Sequence, residues 1–208
     1  MRPPCRGGEG SAAVAAGVVR SDAVSGEDAN EGEARDLRGW SASWRVGHRW
    51  HGEPLREAEV ATVRARLARG RLVVEVDAPG PEDPPPPRDE GRCPGLWAHE
   101  VVELFLLGED GRYLEVELGP HGHYLILELR GYRDCERDDR EATAMSFTRE
   151  GQRWRGRVEI DAAACPAGPL RANAYAIRGQ GDARIYCAAF PGDGAPDFHR
   201  LSLFQPVI

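Results

Sequence analysis

The stretch LWAHEVVELFLLGEDGRYLEVELGPHGHYLILELRGYR, residues 96–133, carries the strongest strand signals in the chain. Apolar residues alternate with glutamates along it, and the turn-forming sequences GEDG and GPHG divide it into three parts. Successive side chains of a strand point to opposite faces of its sheet, so this pattern predicts consecutive antiparallel strands. We expect them at 101–107, 112–118 and 123–129.

Similar signals recur at regular spacing along most of the chain. From near Trp44, where the ordered domain should begin, two strands are predicted within EVATVRARLARGRLVVEVDAP, and others at 145–148, 153–160, 171–178, 184–189 and 199–204. The proline-rich loop PGPEDPPPPRDEGRCPG, residues 79–95, is expected to stay outside sheet pairing. Helical periodicity is weak, apart from a single turn expected in DAAAC at 161–165. About nine or ten short strands predict an all-β, antiparallel β-sandwich of the jelly-roll type.

Composition divides the chain into two regions. Residues 1–40 are rich in Gly, Ala, Ser and Glu with few apolar residues, which predicts a disordered extension before a β-sandwich domain at 41–208. The net charge of −7 argues against a nucleic-acid partner. No apolar run approaches the roughly 20 residues that cross a bilayer, and no signal-peptide pattern is present, so we predict a cytoplasmic protein without a membrane partner.

The glutamates of the opening stretch differ in their predicted surroundings. Glu103 lies on a strand with apolar residues on both faces, so it should be buried and should need a partner. Arg178 is the partner we expect, and a structural ion pair and a ligand contact remain open for Glu103. For Glu115, Glu117 and Glu128 we expect a solvated sheet face crossed by arginine pairs.

The sequence supports catalytic sites less than it supports a ligand contact at Glu103. Glu115 and Glu117 would lie about 7 Å apart along a strand, a separation that glycosidase carboxylates can adopt. His121 and His123 followed by Glu128 match part of a cupin metal site, but the other ligands of that pattern are missing. Asp197 is expected to cap a turn. The cysteines show no CxxC spacing, and the sequence has no GxSxG, no Walker A and no GxGxxG after a strand. We therefore predict no metal ligand, no cofactor and no catalytic residue, and an enzyme is the least favoured function.

Several segments carry a family resemblance. LWAHEVVELFLL, RYLEVELGPHG and APDFHRLSLF, within about residues 44–204, resemble uncharacterised protein family 0462, which is similar to carbohydrate-binding module family 9-like, or DOMON-like, β-sandwiches. Sugar-binding members carry a tryptophan and, six residues later, a glutamate, and Trp97 and Glu103 keep that spacing. The resemblance implies a ring that supports a sugar face and a carboxylate that accepts its hydroxyls. Where those members have a second tryptophan, this chain offers Tyr186, Phe190 and Phe198.

These observations predict a ligand-binding module. The ligand would be a carbohydrate or another small polar molecule in a cleft with Trp97, Glu103, Arg178 and Phe190. The alternative is a non-catalytic protein-interaction domain that uses the proline-rich loop 79–95 or a sheet edge, with an unidentified protein partner. An exposed Trp97 would favour ligand binding, and a fully buried Trp97 would favour a scaffold role.

Overall fold

A computed structural model describes residues 40–207 of the 208-residue chain. The extension predicted at 1–40 therefore lies, except for Trp40, outside the described residues. Within 40–207 the chain forms fourteen β-strands and short 3₁₀ turns and no α-helix, so no helix there is long and apolar enough to span a membrane. The all-β prediction is confirmed.

One sheet has five strands. In spatial order they are β1 (Trp40–Val46), β3 (Ala61–Ala68), β4 (Arg71–Pro79), β11 (Arg153–Asp161) and β10 (Ala144–Glu150). All four pairings are antiparallel. β3 and β4 form the predicted hairpin, with Arg69 and Gly70 in left-handed conformations at its turn. β1 and β10 are the two edges of this sheet.

The other sheet has nine strands. Seven follow in the order β2 (His48–Arg49), β13 (Ile185–Ala188), β12 (Arg171–Arg178), β6 (Val101–Leu107), β7 (Arg112–Leu118), β8 (His123–Arg130) and β5 (Gly91–Arg92). β14 (Gln205–Pro206) pairs with β12, and β9 (Cys135–Arg137) pairs with β8. Every pairing except β5 with β8 is antiparallel.

A hydrophobic core fills the space between the sheets. Alternate residues of the strands contribute to it, because one face of each sheet turns toward the other. Those of β6 are Val102, Leu104 and Leu106, all nearly inaccessible to solvent. Burying such side chains contributes roughly 1.5–3 kcal/mol each before the entropy of ordering is subtracted.

A second core covers the outer face of the nine-stranded sheet. β6 supplies Val101, Phe105 and Leu107 to it. β6 is thus covered on both sides, as its apolar pattern predicts. The rest is largely aromatic and comes from distant parts of the chain, including Trp50, Tyr175, Phe198 and Phe204. This second core surrounds the candidate site.

Some local predictions were wrong. Residues 199–204 contain a 3₁₀ turn at Leu201–Leu203 rather than a strand, and only β14 follows it. The proline-rich loop enters sheet pairing near both ends, since Pro79 is the last residue of β4, opposite Arg153, and Gly91–Arg92 pairs with β8. The helical turn in 161–165 is confirmed at Ala162–Ala164, where the Asp161 side chain accepts a hydrogen bond from the Ala163 amide. Four strands have only two or three residues, which leaves ten longer ones, close to the expected number.

Candidate functional site: a buried carboxylate cluster

Three glutamates meet on the outer face of the nine-stranded sheet. Glu103 of β6 is directly opposite Glu117 of β7, and Glu115 is opposite Phe105. One carboxylate oxygen of each glutamate lies within 4.8 Å of the others. All three side chains are 0 % exposed. We call Glu103, Glu115 and Glu117 the carboxylate cluster.

The carboxylate cluster overturns one prediction. Glu115 and Glu117 are buried and do not lie on a solvated face. From Tyr113 to Leu118 their strand is buried throughout, because one face lies in the inter-sheet core and the other under the second core. Glu128 agrees with the predicted arginine pairing, since it is only partly buried and forms an ion pair with Arg140.

The register of the β6–β7 hairpin brings these glutamates together, and that register could have been read from the sequence. Gly111 adopts a left-handed conformation in the β6–β7 turn, and the resulting pairing places Leu107 opposite Tyr113. Counting back by equal steps then puts Glu103 opposite Glu117. Residues directly opposite on antiparallel strands have Cβ atoms about 4.5–5.5 Å apart.

Aromatic and imidazole groups border the carboxylate cluster. His199 Nε2 lies 3.8 Å from a Glu115 carboxylate oxygen. His199 Nδ1 and the Tyr113 hydroxyl are hydrogen-bonded at 2.7 Å. Tyr175 is opposite Glu103 in the β6–β12 pairing and stacks on Phe198, with ring centroids 4.1 Å apart. The carboxylates thus lie among ring edges, ring faces and hydroxyl groups.

Residues 190–204, which we call the cover segment, supply Phe198 and His199. Asp197 connects this segment to the turn after β8, where Arg133 Nη2 donates a hydrogen bond to the Asp197 carboxylate at 2.7 Å. Although partial burial alone would raise the pKa of Asp197, the hydrogen bond and charge of Arg133 lower it below its ordinary value. Asp197 also accepts from the His199 amide, which confirms the predicted cap.

Trp50 forms a second contact that holds the cover segment in place. Its indole Nε1 donates to the Gly194 carbonyl at 2.9 Å. The indole is almost fully buried, and Gly192 approaches it so closely that a Cβ there would lie 2.7 Å from a ring carbon. Sequence reasoning did not place Trp50 or His199 at this site, since both are far in sequence from the glutamates, whereas Tyr113 lies on the same strand as Glu115 and Glu117.

Trp97 lies on the same side of the sheet as the carboxylate cluster. It forms part of the 3₁₀ turn Leu96–Ala98, is half-buried and packs against the aromatic second core. Its backbone carbonyl accepts a hydrogen bond from the Arg184 guanidinium. Trp97 is therefore neither fully exposed in a cleft nor sealed in the core.

Arg178 does not pair with Glu103, contrary to the prediction. Arg178 continues the alternation of β12 residues that face the inter-sheet core, whereas Glu103 faces the outer side. Arg178 Nη2 instead donates to Glu82 at 2.5 Å, and its Nε lies 3.9 Å from a Glu100 oxygen. Phe190 also packs against the inter-sheet core. The four predicted residues therefore do not line one cleft, and only Trp97 and Glu103 share a side.

The proline-rich loop is held against the sandwich. Glu100 accepts hydrogen bonds from the Glu82 and Asp83 amides at 2.8 and 3.2 Å. His121 and His123 hydrogen-bond to the carbonyls of Asp83 and Arg88 in the same loop. Both histidines of the partial cupin pattern thus bind backbone carbonyls, and Glu128 pairs elsewhere.

The chemistry available to the carboxylate cluster follows from its charge. Ionised carboxylates at this separation repel strongly in a buried setting, so they need protons, a cation or hydrogen-bond donors close by. Oxygen ligands suit hard cations such as Ca²⁺, and Glu103, Glu115 and Glu117 are the residues that could hold one. Carboxylates also accept hydrogen bonds from hydroxyl groups.

Comparison with known proteins identifies relatives along most of the chain. It is 37 % identical over 175 residues to the UPF0462 protein C4orf33 homolog of Mus musculus, covering 78 % of this chain and 89 % of that protein. The human UPF0462 protein C4orf33 is 33 % identical over 174 residues, with 78 % and 85 % covered. No family model matches the chain.

Solved structures resemble the fold. A "putative carbohydrate-binding protein" of Bacteroides uniformis superposes with a TM-score of 0.53 at 16 % identity, covering 70 % of this chain and 76 % of that one. A carbohydrate-binding module of family 9 from Caldicellulosiruptor kristjanssonii, in complex with cellotriose, gives 0.41 at 11 % identity, covering 70 % and 69 %. The first likeness supports the sandwich fold, and the second is too distant to carry an argument.

Proposed function

Since the chain belongs to the UPF0462 family, we propose from its own site that it is a ligand-binding module. Its ligand would be a carbohydrate or another small polar molecule bound on the outer face of the nine-stranded sheet. The carboxylate cluster carries this proposal, because three buried acceptors converge on one point of an aromatic face. The description of the Bacteroides protein as carbohydrate-binding supports it.

The chemistry of the site suits a polyhydroxylated ligand. Hydroxyl groups that donate to ionised carboxylates form stronger hydrogen bonds than those made to neutral acceptors. Aromatic rings offer an apolar surface to the C–H face of a sugar, and Trp97 is a half-buried ring on this side of the sheet. Trp97 and Glu103 are the contacts we assign, with Glu115 and Glu117 as further acceptors.

Binding requires a movement of the surrounding chain. The carboxylate cluster is fully buried, so a ligand reaches Glu103 only when the groups around it shift. The cover segment is the part of the chain that would have to shift, since its Phe198 and His199 border the carboxylate cluster. A site that is open for only part of the time binds with an apparent affinity reduced by that fraction.

The test is calorimetric titration of the full chain with soluble oligosaccharides of β-linked glucose, xylose and mannose, alongside a glycan array. Glu103→Gln keeps the side-chain volume and removes the charge, so we expect it to weaken binding about tenfold or more. Glu109→Gln, in the exposed turn of the same hairpin, is the matched control and should leave the affinity unchanged. Thermal melting of both variants checks that they are folded.

Two results would contradict the proposal. One is that no saccharide on the array or in the titrations binds the unmodified chain at millimolar concentration. The other is binding that Glu103→Gln leaves intact.

A cytoplasmic location belongs to the same proposal. Fractionation of cells that express the tagged full chain should recover it with cytosolic marker proteins. Recovery with the membrane or secreted fraction would refute this location.

A further inference from the structure

The edge strand β1 has one open side. Its neighbour within residues 40–207 is β3, and no other strand of that range pairs with it. An edge strand presents backbone N–H and C=O groups that can pair with an added strand. Peptide recognition by strand addition uses such an edge, with specificity supplied by neighbouring side chains.

Short side chains on β1 are opposite long side chains on β3 beside this edge. Ser41 of β1 is opposite Arg66 of β3, and Ser43 is opposite Arg64. The serines are short, so a groove lies on the outer face of the sheet, lined by both serines, by Arg64 and Arg66, and on the β4 side by Val73 and Glu75. Each arginine can extend over a serine toward whatever lies beyond β1.

Arg64 and Arg66 differ from the other arginines of this sheet face. Both are exposed, and neither forms an ion pair with any residue from 40 to 207. The remaining arginines of the face each pair with a carboxylate: Arg45 with Glu57, Arg71 with Asp161, Arg153 and Arg155 with Asp77, and Arg157 with Glu75 and Glu159. Two adjacent cations therefore remain beside the open edge.

The opposite edge provides an internal comparison. On β10, Ser146 and Thr148 are opposite Arg157 and Arg155, so the arrangement of side chains is similar. There the arginines are already engaged by acidic neighbours. The edge of β1 is therefore the one whose neighbouring arginines form no ion pair within residues 40–207, with Glu75 opposite Arg64 on β4 engaged by Arg157 instead.

We propose that β1 accepts an extended acidic peptide segment of a protein partner as an additional strand. Alternate residues of a strand lie about 6.5–7 Å apart on one face, which is also the separation of Arg64 and Arg66 along β3. Carboxylates at alternate positions of the added strand would thus match the two arginines. The distance from β3 to that strand is about 10 Å, which an arginine and a glutamate bridge together across a serine.

Charge complementarity favours an acidic peptide at the β1 edge over a second copy of the chain or a nucleic acid. A second copy of the chain would bring the arginines of two β1 edges together, and like charges oppose that pairing. A nucleic acid carries charge continuously along its backbone, whereas this edge offers only two adjacent arginines. The proposal does not depend on the sugar site, which lies on the other sheet.

The experiment measures fluorescence anisotropy of a labelled peptide with the full chain at low ionic strength. The probe is seven alternating glutamate and threonine residues, the length of β1. We expect saturable binding that Arg64→Ser with Arg66→Ser weakens about three- to tenfold. Arg69→Asn with Arg88→Ser removes the same charge from exposed sites elsewhere and should leave the affinity within about twofold.

Two altered peptides separate strand pairing from charge. A glutamine-for-glutamate peptide should bind several-fold more weakly, and a peptide N-methylated at alternate amides should lose binding because it cannot pair with the edge. Glu103→Gln should not change peptide binding, so failure of the sugar proposal and failure of this one can be distinguished.

Several results would overturn the inference. These are no peptide binding, equal binding of the N-methylated peptide, and tighter binding of an oligonucleotide of equal charge. Dimers in sedimentation that Arg64→Ser with Arg66→Ser alters would assign the edge to a second copy. Tighter peptide binding after Glu31→Ser with Glu33→Ser would assign it to the chain's own acidic segment.

Discussion

The Glu100 carboxyl lies at the end of the inter-sheet core with only 5 % of its surface exposed. Burial raises its pKa above the ordinary value of 4.5, and the amides of Glu82 and Asp83 and the charge of Arg178 offset only part of this increase. The folded state therefore binds the Glu100 proton more tightly than the unfolded state does. One residue thus makes stability depend on pH.

We predict a pH-dependent effect of Glu100→Gln. Between pH 4.5 and the raised folded pKa, the unfolded chain releases the proton that the folded chain retains, so the unfolding free energy of the unmodified protein falls as pH rises. Glutamine removes this contribution. The stability of Glu100→Gln relative to the unmodified chain should therefore increase with pH, as measured by urea unfolding from pH 4 to 8. Parallel curves would contradict this assignment.

At the scale of elements, a glycine sets how closely the two sheets approach. Gly156 of β11 faces the inter-sheet core, where a Cβ would lie 2.9 Å from atoms of Phe147 and Trp154 and 3.0 Å from Leu118 Cδ2. Leu118 belongs to the opposite sheet. The missing side chain thus makes room for the packing of β11 against β7.

We expect Gly156→Ala to lower the unfolding free energy by about 1–3 kcal/mol, because overpacking forces neighbours out of their preferred rotamers. Chemical denaturation measures the change. Combining Gly156→Ala with Phe147→Leu frees space beside the new methyl group and should recover part of the loss. A Gly156→Ala protein as stable as the parent would show that the sheets can separate without cost.

At the scale of the whole molecule, we predict that the protein unfolds in one cooperative transition, because residues of both sheets share the inter-sheet core. Leu104→Ala removes a side chain that is 1 % exposed from the middle of that core, and it should cost about 2–5 kcal/mol. For a chain of this size each kcal/mol lowers the melting temperature by roughly 2–4 °C. Far-ultraviolet circular dichroism and tryptophan fluorescence should shift together.

Thr148→Ala, on the exposed edge strand β10, is the control for this variant and should leave both signals near those of the parent. Two separate transitions, or a shift in only one signal, would show that the sheets unfold independently.

The sequence by itself determined the strands whose signals are local. The predicted limits of β6, β7 and β12 agree with the structure, because two-residue alternation and turn residues act over a few positions. The Asp197 cap and the turn at 162–164 also depend on neighbours one or two residues away. The burial of Glu103 followed from apolar residues on both faces of its own strand.

Only the tertiary structure decided what surrounds those strands. Glu115 and Glu117 are buried because Phe198 and His199, far along the chain, belong to the covering of a face that alternation alone marks as polar. Arg178 and Glu103 lie on neighbouring strands but on opposite faces, and the β6–β12 register fixes that relation. Such contacts join residues distant in sequence, so no short-range pattern encodes them.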